Sequence, residues 1–165
     1  SIQNLERADF ANPSQIDTVY GLAAVGEPAV PALMETLDDP DWWIRAAACS
    51  SLGCIGQAAN LAVPHLLKAL NDDSEWVRRN AADALGNMGD TSQATEETLI
   101  KALDDKRETS SWSLSDSPLR ENAIASLAKI RPSPAAISKL KEASKDDNEY
   151  IRAWADIGLA RIRET

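Results

Sequence analysis

Hydrophobic and polar residues alternate along this chain at the spacing of short amphipathic helices. The shorter apolar segment 61–70 is followed by the segment 75–88, and Pro64 lies in the first turn of the former, where a missing backbone N–H is tolerated. One face of 75–88 is apolar at intervals of three or four residues, through Val77, Ala81, Leu85 and Met88. The pattern therefore predicts two antiparallel helices joined by a tight polar turn.

The ends of these helices carry their own signals. Ser74 immediately precedes the second helix, so we expect it to be the N-cap. Gly89 is predicted to end that helix in the left-handed conformation, and Gly56 is predicted to do the same one copy earlier.

The helical pair recurs along the chain. Residues 26–56 align with residues 59–89 without a gap and share 12 identical residues in 31. The third copy is interrupted by about nine extra residues. The predicted units are an N-terminal helix or half-repeat at 1–25 and four repeats at 26–56, 57–90, 91–131 (with an inserted loop at about 106–118) and 132–165.

One hairpin of this kind cannot bury its apolar face alone, so the copies must stack and share a core. The sequence therefore predicts an all-α fold: a single domain over residues 1–165, built as an α-α superhelix, or solenoid, of about four hairpins and the N-terminal half-repeat.

The second helix of each copy resembles a known family. The segment VRRNAADALGNMG, at 77–89, is similar almost position by position to the second helix of HEAT repeats, most closely to the phycobilisome-lyase (PBS lyase) HEAT-like repeats. The resemblance extends over residues 26–165. It implies a scaffold with protein-binding surfaces and a few bilin lyases in the same family, so it is specific for fold and poorly specific for activity.

The charge of the chain disfavours binding to nucleic acid. Its 17 Lys and Arg and 26 Asp and Glu give a net charge of −9, and residues 1–56 hold eight acidic side chains against two basic ones. A duplex-binding surface needs clustered cations, and no such cluster is present. The acidity is explained either by solubility or by a basic partner for the N-terminal half.

No membrane partner is expected, because no window shows the roughly 18 consecutive apolar residues that a span needs. The first 15 residues lack the pattern of a secretory signal, although the chain begins at Ser1 and an upstream segment could have been removed. Cys49 and Cys54, five residues apart on one predicted helix, point in different directions and favour reduced thiols in a cytoplasmic protein.

The inventory of reactive residues predicts no catalytic, metal or cofactor site. His65 is the only histidine, so an imidazole-based metal site or catalytic triad lacks its parts. Acids and arginines recur at a fixed spacing of six residues instead, which is typical of structure and not of an active site. We predict a structural ladder of Asp–Arg hydrogen bonds formed by Asp39, Arg45, Asp72, Arg78, Arg120, Asp146 and Arg152.

What differs between the copies is where a binding surface is expected. Aromatic residues stand at the start of three second helices, on one edge, and either pack over the next hairpin's turn or form a binding strip. Polar side chains on the second helices face away from the core stripe, and the inserted loop adds another tryptophan. The candidate protein-binding residues are Trp43, Trp76, Arg79, Asn80, Asp83, Asn87, Trp112, Glu121, Asn122 and Tyr150.

The last copy ends in apolar residues where a capping repeat would be polar. Trp154 and Ile157 occupy the positions of Asn80 and Asp83, so we expect either a longer parent protein or self-association through this end. The predicted function is a non-catalytic protein–protein interaction scaffold that uses the concave second-helix face and the aromatic turn edge. The alternative is a bilin (phycobilin) lyase or a lyase subunit.

Overall fold

A computed structural model describes residues 13–105, 118–130 and 133–163. Within these ranges the chain forms helices and no strand, so the all-α prediction is confirmed. The α-helices are α1 (Pro13–Val25), α2 (Val30–Thr36), α3 (Trp42–Ile55), α4 (Val63–Ala69), α5 (Glu75–Met88), α6 (Gln93–Ala102), α7 (Pro118–Lys129), α8 (Pro134–Ala143) and α9 (Glu149–Arg163). Two short 3₁₀ helices, Glu27–Ala29 and Gly56–Ala62, lead into α2 and α4.

The helices form two layers in one row. The second helices α1, α3, α5, α7 and α9 each pack along the next, whereas neighbouring first helices touch only slightly. The second helices α3, α5, α7 and α9 also pack on the first helix of their own hairpin. The placement of the second helices on the concave side stays a prediction.

The close approach of the second helices depends on small residues. A Cβ added at Gly53 would lie 2.9 Å from the Cα of Ala84, and one added at Gly158 would lie 3.0 Å from the Cβ of Ala128. Ordinary side chains at these positions would hold the helices apart.

The core runs the length of the row; among the described residues alanines are its most numerous members, and leucines supply most of its largest side chains. The predicted apolar face of α5 is buried, with Val77, Ala81, Leu85 and Met88 each no more than 2% exposed. Burying a leucine fully stabilises the fold by roughly 1.5–3 kcal/mol. The fully buried leucines come from first and second helices alike: Leu33, Leu52, Leu66, Leu85, Leu99, Leu127 and Leu140.

The helix ends differ in part from the predictions. Ser74 is the N-cap of α5, but its side chain makes no capping hydrogen bond; its backbone N–H donates to the carboxylate of Asp72 at 2.8 Å. Gly89 has the predicted left-handed conformation (φ 68°, ψ 27°). Gly56 has a positive φ of 70° but a ψ of −139°, because the chain turns there directly into a 3₁₀ helix instead of closing a left-handed cap.

A continuous helical stretch, Trp42–Ala69, is long and apolar enough to cross a membrane by length and composition. It passes by mean hydropathy and is interrupted by polar residues such as Ser50, Gln57 and Asn60, so it contains no run of about 18 consecutive apolar residues. The stretch consists of α3, a 3₁₀ helix and α4, and 56% of its most apolar window is buried inside the protein. Since core helices share this composition, the stretch is weak evidence for a membrane span.

The two cysteines should differ sharply in reactivity. Cys49 is fully buried, and burial raises the pKa of its thiol to about 12; Cys54 is exposed. Because the thiolate is the reactive form, we expect a thiol reagent at pH 8 to label Cys54 in the native protein and Cys49 only after unfolding. In native Cys54→Ala the only thiol is Cys49, and in native Cys49→Ala it is Cys54. Rapid labelling of both variants would contradict this placement.

Candidate protein-binding site

The arginines at the start of the second helices α3, α5 and α7 contact the turn of the next repeat, and Arg45 shows the arrangement in full. Arg45 donates from Nη1 to the backbone oxygens of Asp39 and Pro40, at 2.9 and 3.1 Å. Its Nε and Nη2 donate to the two carboxylate oxygens of Asp72, both at 2.8 Å. A planar guanidinium with five N–H donors suits both tasks at once.

Arg78 repeats this arrangement one copy on, and it is buried. Its Nη1 donates to the backbone oxygens of Asp72 and Asp73, both at 2.9 Å, and its Nε lies 3.6 Å from Oδ2 of Asp105. Only 3% of Arg78 is exposed. The turns of the second and third repeats are therefore joined by a charged contact that is shielded from solvent.

The remaining arginines of the row follow the same geometry with small changes. Arg120 donates from Nη2 to Asp146 at 2.6 Å and from Nε to the backbone oxygen of Leu103. Arg152 donates to the backbone oxygens of Asp146 and Asp147, in its own turn. The arginines thus contact carbonyls of a turn and, in the first three copies, the aspartate of the following turn.

The aspartates also hold the turn backbone. Oδ1 of Asp39, Asp72 and Asp146 accepts the N–H two residues later in each case, at 2.8–2.9 Å. Burial on its own would raise the pKa of Asp72, but the hydrogen bonds from Arg45 and from the N–H of Ser74 lower it. For Asp146, burial is likewise outweighed by its hydrogen bonds, and its pKa is also lowered.

A depressed carboxylate pKa makes stability depend on pH in one direction. The contribution of Asp72 is present above the unfolded pKa of about 3.9 and is lost as the pH falls through the lower folded value. We expect Asp72→Asn to lower the melting temperature at pH 7, and the difference from the wild type to shrink as the pH falls below about 4. Thermal melts from pH 7 to 3 check this, with exposed Asp147→Asn as the control; a gap that stays constant would contradict it.

Three indole rings meet at the start of α3 and α5, and we call Trp42, Trp43 and Trp76 the tryptophan cluster. The rings of Trp42 and Trp43 are stacked with centroids 4.2 Å apart, and each lies 6.4 Å from the ring of Trp76 at interplanar angles of 18–21°. Trp42 and Trp76 are half-buried against the core, while Trp43 is 37% exposed. Arg79 places its Cζ 4.7 Å from the centre of the Trp76 ring.

The structure places the predicted aromatic residues in different settings. Trp43 and Trp76 are brought together, whereas Tyr150 is 62% exposed at the start of α9 and stacks on no ring among the described residues. Trp112, with the inserted loop at 106–117, lies outside the described residues. Trp42 was not among the predicted site residues. Its position next to Trp43 in the sequence could have indicated that it belongs to the same site.

Two of the three predicted asparagines of the second-helix face, Asn80 and Asn122, form hydrogen bonds within the chain. The amide nitrogen of Asn80 donates to the backbone oxygen of Ala46 at 3.2 Å, and that of Asn122 donates to the backbone oxygen of Arg79 at 3.0 Å. Each therefore joins one second helix to the preceding one. The side-chain amide N–H groups of Asn80 and Asn122 donate to the neighbouring second helix. The sequence predicted that they face a partner protein, and it could not show how near the next helix lies.

The other polar residues of this face form a network between α5 and α7. Lys129 donates to Asp83 at 3.0 Å and to Asn87 at 2.8 Å, and Asn87 donates to Asp83 at 3.0 Å. At the next interface Asn148 donates to Oε1 of Glu121. The polar side chains of this face are thus largely paired with one another, whereas the tryptophan cluster offers the exposed ring of Trp43.

The two predicted interface residues at the C-terminal end lie in different settings. Trp154 is half-buried and packs against the core, while Ile157 is 47% exposed. Next to Ile157, the exposed Asp156 stands where α5 has the buried Ala82. A charged residue at this position is typical of a capping helix.

Two grooves lie between neighbouring turns on the outer edge. The first, of about 400 Å³, is lined in part by Asp38, Arg45, His65 and Lys68. A second of about 380 Å³ recurs one repeat later, around Asn71 and Lys101, so the grooves are a product of the repeat. In the described part of the chain no group of three or more His, Cys, Asp or Glu side chains is placed to hold a metal ion.

The family model of HEAT repeats matches residues 2–63 and 63–160 of this chain. No curated protein matches this chain. A chain from the complex of CpcE and CpcF of phycocyanin lyase from Nostoc sp. PCC7120 is 25% identical and has a TM-score of 0.67, with 91% of this chain and 92% of that chain covered.

Two further solved structures are similar in fold. An engineered protein is 21% identical, covers 95% of this chain with 76% of its own, and has a TM-score of 0.65. A designed armadillo repeat protein is also 21% identical, with coverage of 90% and 74% and a TM-score of 0.61. The predicted similarity to HEAT repeats close to those of phycobilisome lyases is confirmed, and the chain belongs to the HEAT repeat family.

Proposed function

We propose that this protein is a non-catalytic interaction scaffold that binds another protein through the concave second-helix layer and the aromatic turn edge. The observation that carries the proposal is the tryptophan cluster, which combines an exposed Trp43 with two partly buried rings. Tryptophans and arginines are the side chains that most often dominate binding energy at protein interfaces.

The rigidity of the surroundings supports the same proposal. Arg45 and Arg78 hold the turns on either side of the cluster, so its rings are presented on a fixed backbone. A preorganised surface loses less conformational entropy when a partner binds. The polar residues of α5 and α7 that are paired with each other would form the rim around this apolar centre.

Affinity capture from the source cells tests the proposal. We expect the wild type to retain at least one protein that the double variant Trp43→Ala/Trp76→Ala does not, with circular dichroism showing that the variant is still helical. Leu61→Ala removes an equally apolar side chain that is 69% exposed on the 3₁₀ helix before α4, and should retain the same protein. Identical retention by all three proteins would argue against the cluster as the binding site.

A second candidate is a bilin lyase or a subunit of one. It is favoured by the similarity to the complex of CpcE and CpcF, which extends over nearly the whole of both chains. Titration with phycocyanobilin separates the two candidates: the scaffold predicts no change in the absorbance of the pigment, and a red-shifted, intensified band would support the lyase.

We also propose a cytoplasmic location, because the buried Cys49 and the exposed Cys54 suit a reducing compartment.

Self-association through α9 is a further element of the proposal, since Ile157 and Tyr150 are exposed on that helix. Light scattering that gives a monomer at every concentration would remove this element.

A further inference from the structure

The second repeat contains a cation that the first repeat lacks. On α5, Arg79 follows Trp76 by three residues and its guanidinium carbon lies 4.7 Å from the centre of the ring. On α3 the residue three places after Trp43 is Ala46, whose side chain is too short to reach the ring. Trp43 is nevertheless 37% exposed.

One carboxylate lies beside this position, and two nearby cations are paired with other carboxylates. Asp41 lies beside Trp43, since its Oδ1 accepts the N–H of Trp43 at 2.9 Å. Arg45, two residues further along α3, donates to Asp72. The side chain of Lys68 is directed to Asp38 at 2.8 Å. The carboxylate of Asp41 beside the exposed ring complements an incoming cation.

We propose that Trp43 binds an arginine side chain of a partner protein, supplied by a basic segment; this inference rests on the scaffold function proposed above. The guanidinium plane stacks on the indole of Trp43 as Arg79 stacks on Trp76, and its N–H groups donate to the carboxylate of Asp41. Arginine suits the position better than lysine, because a flat guanidinium can stack and form parallel hydrogen bonds at the same time.

A synthetic octapeptide of alternating arginine and serine tests the inference, with the same peptide carrying the neutral isostere citrulline as the control. Titration at low ionic strength, followed by calorimetry, is expected to show binding of the arginine peptide and none of the citrulline peptide. Trp43→Ala should weaken binding by roughly two- to tenfold, the range of a cation–π contact, and Leu61→Ala should leave it unchanged.

Arg79→Ala is expected to have the opposite effect and to strengthen binding of the arginine peptide. Removing Arg79 uncovers the ring of Trp76 and removes a positive charge, so the arginine peptide should bind roughly two- to fivefold more tightly. Equal binding of the citrulline peptide, or wild-type affinity in Trp43→Ala, would overturn the inference.

The two proposals can fail separately. A captured partner that depends on Trp43 but binds through a segment without arginine would leave the scaffold in place and remove this inference. A captured partner whose arginine crosslinks at position 43 would support both.

Discussion

Gly86→Ala is expected to lower the melting temperature by about 2–6 °C, since 1 kcal/mol corresponds to roughly 2–4 °C in a chain of this length. A Cβ at Gly86 would lie 2.7 Å from the Cβ and 2.8 Å from the Cα of Ser126 on α7. The backbone of α7 cannot retreat without breaking the bond from Ser126 Oγ to the backbone oxygen of Ala82, at 2.7 Å. Overpacking of this kind costs about 1–3 kcal/mol or more, and exceeds the gain of roughly 1 kcal/mol in helix propensity.

Gly21→Ala is the matched control for this prediction. Gly21 also lies inside a second helix, α1, but an added Cβ would meet no atom within 4 Å. The same change should therefore leave stability unchanged or raise it by up to about 1 kcal/mol. If both variants melt together with the wild type, the second helices do not approach as closely as the structure places them.

Arg78→Ala is expected to cost about 3–5 kcal/mol in the free energy of unfolding. The substitution leaves two backbone oxygens of the turn, on Asp72 and Asp73, without their donor, and it leaves the carboxylate of Asp105 without the guanidinium 3.6 Å away. Because the site is shielded from solvent, water does not replace these contacts at little cost. Denaturant unfolding followed by circular dichroism measures the loss.

Lys68→Ala provides the comparison within the same protein. Lys68 and Asp38 also form an ion pair, at 2.8 Å, but their side chains are 76% and 65% exposed. Removing an exposed pair is expected to cost much less than removing Arg78, because solvent screens the two charges. Equal losses in the two variants would show that burial does not set the strength of the Asp–Arg contacts.

The repeat and its core were predictable from the sequence because both depend on local spacing. The apolar positions of α5 and the two-helix pattern follow from intervals of three and four residues. The spacing of Asp72 and Arg78 also indicated a recurring contact. It could not show that Arg78 takes carbonyls of its own turn and the carboxylate of the next, because that choice depends on the distance between neighbouring hairpins.

The candidate site was predictable only in part, for a related reason. Trp43 and Trp76 occupy equivalent positions, so their common edge followed from the alignment of the copies. The stacking of Trp42 near Trp76 and the hydrogen bond from Asn80 to the preceding second helix depend on how far each second helix is rotated and shifted against the next. Small residues such as Gly53 set that approach, and their effect appears only when the helices are packed together.

The most direct test of the interaction scaffold is photocrosslinking from position 43. A photoreactive tryptophan analogue, which keeps the indole ring, replaces Trp43 in one variant, and a photoreactive amino acid replaces the exposed Leu61 in another. The scaffold predicts that a partner protein retained by the wild type crosslinks from position 43 and not from position 61, without any absorbance change on added bilin. A partner that crosslinks only from position 61, or no crosslink from position 43 in cells that supply the partner, would contradict it.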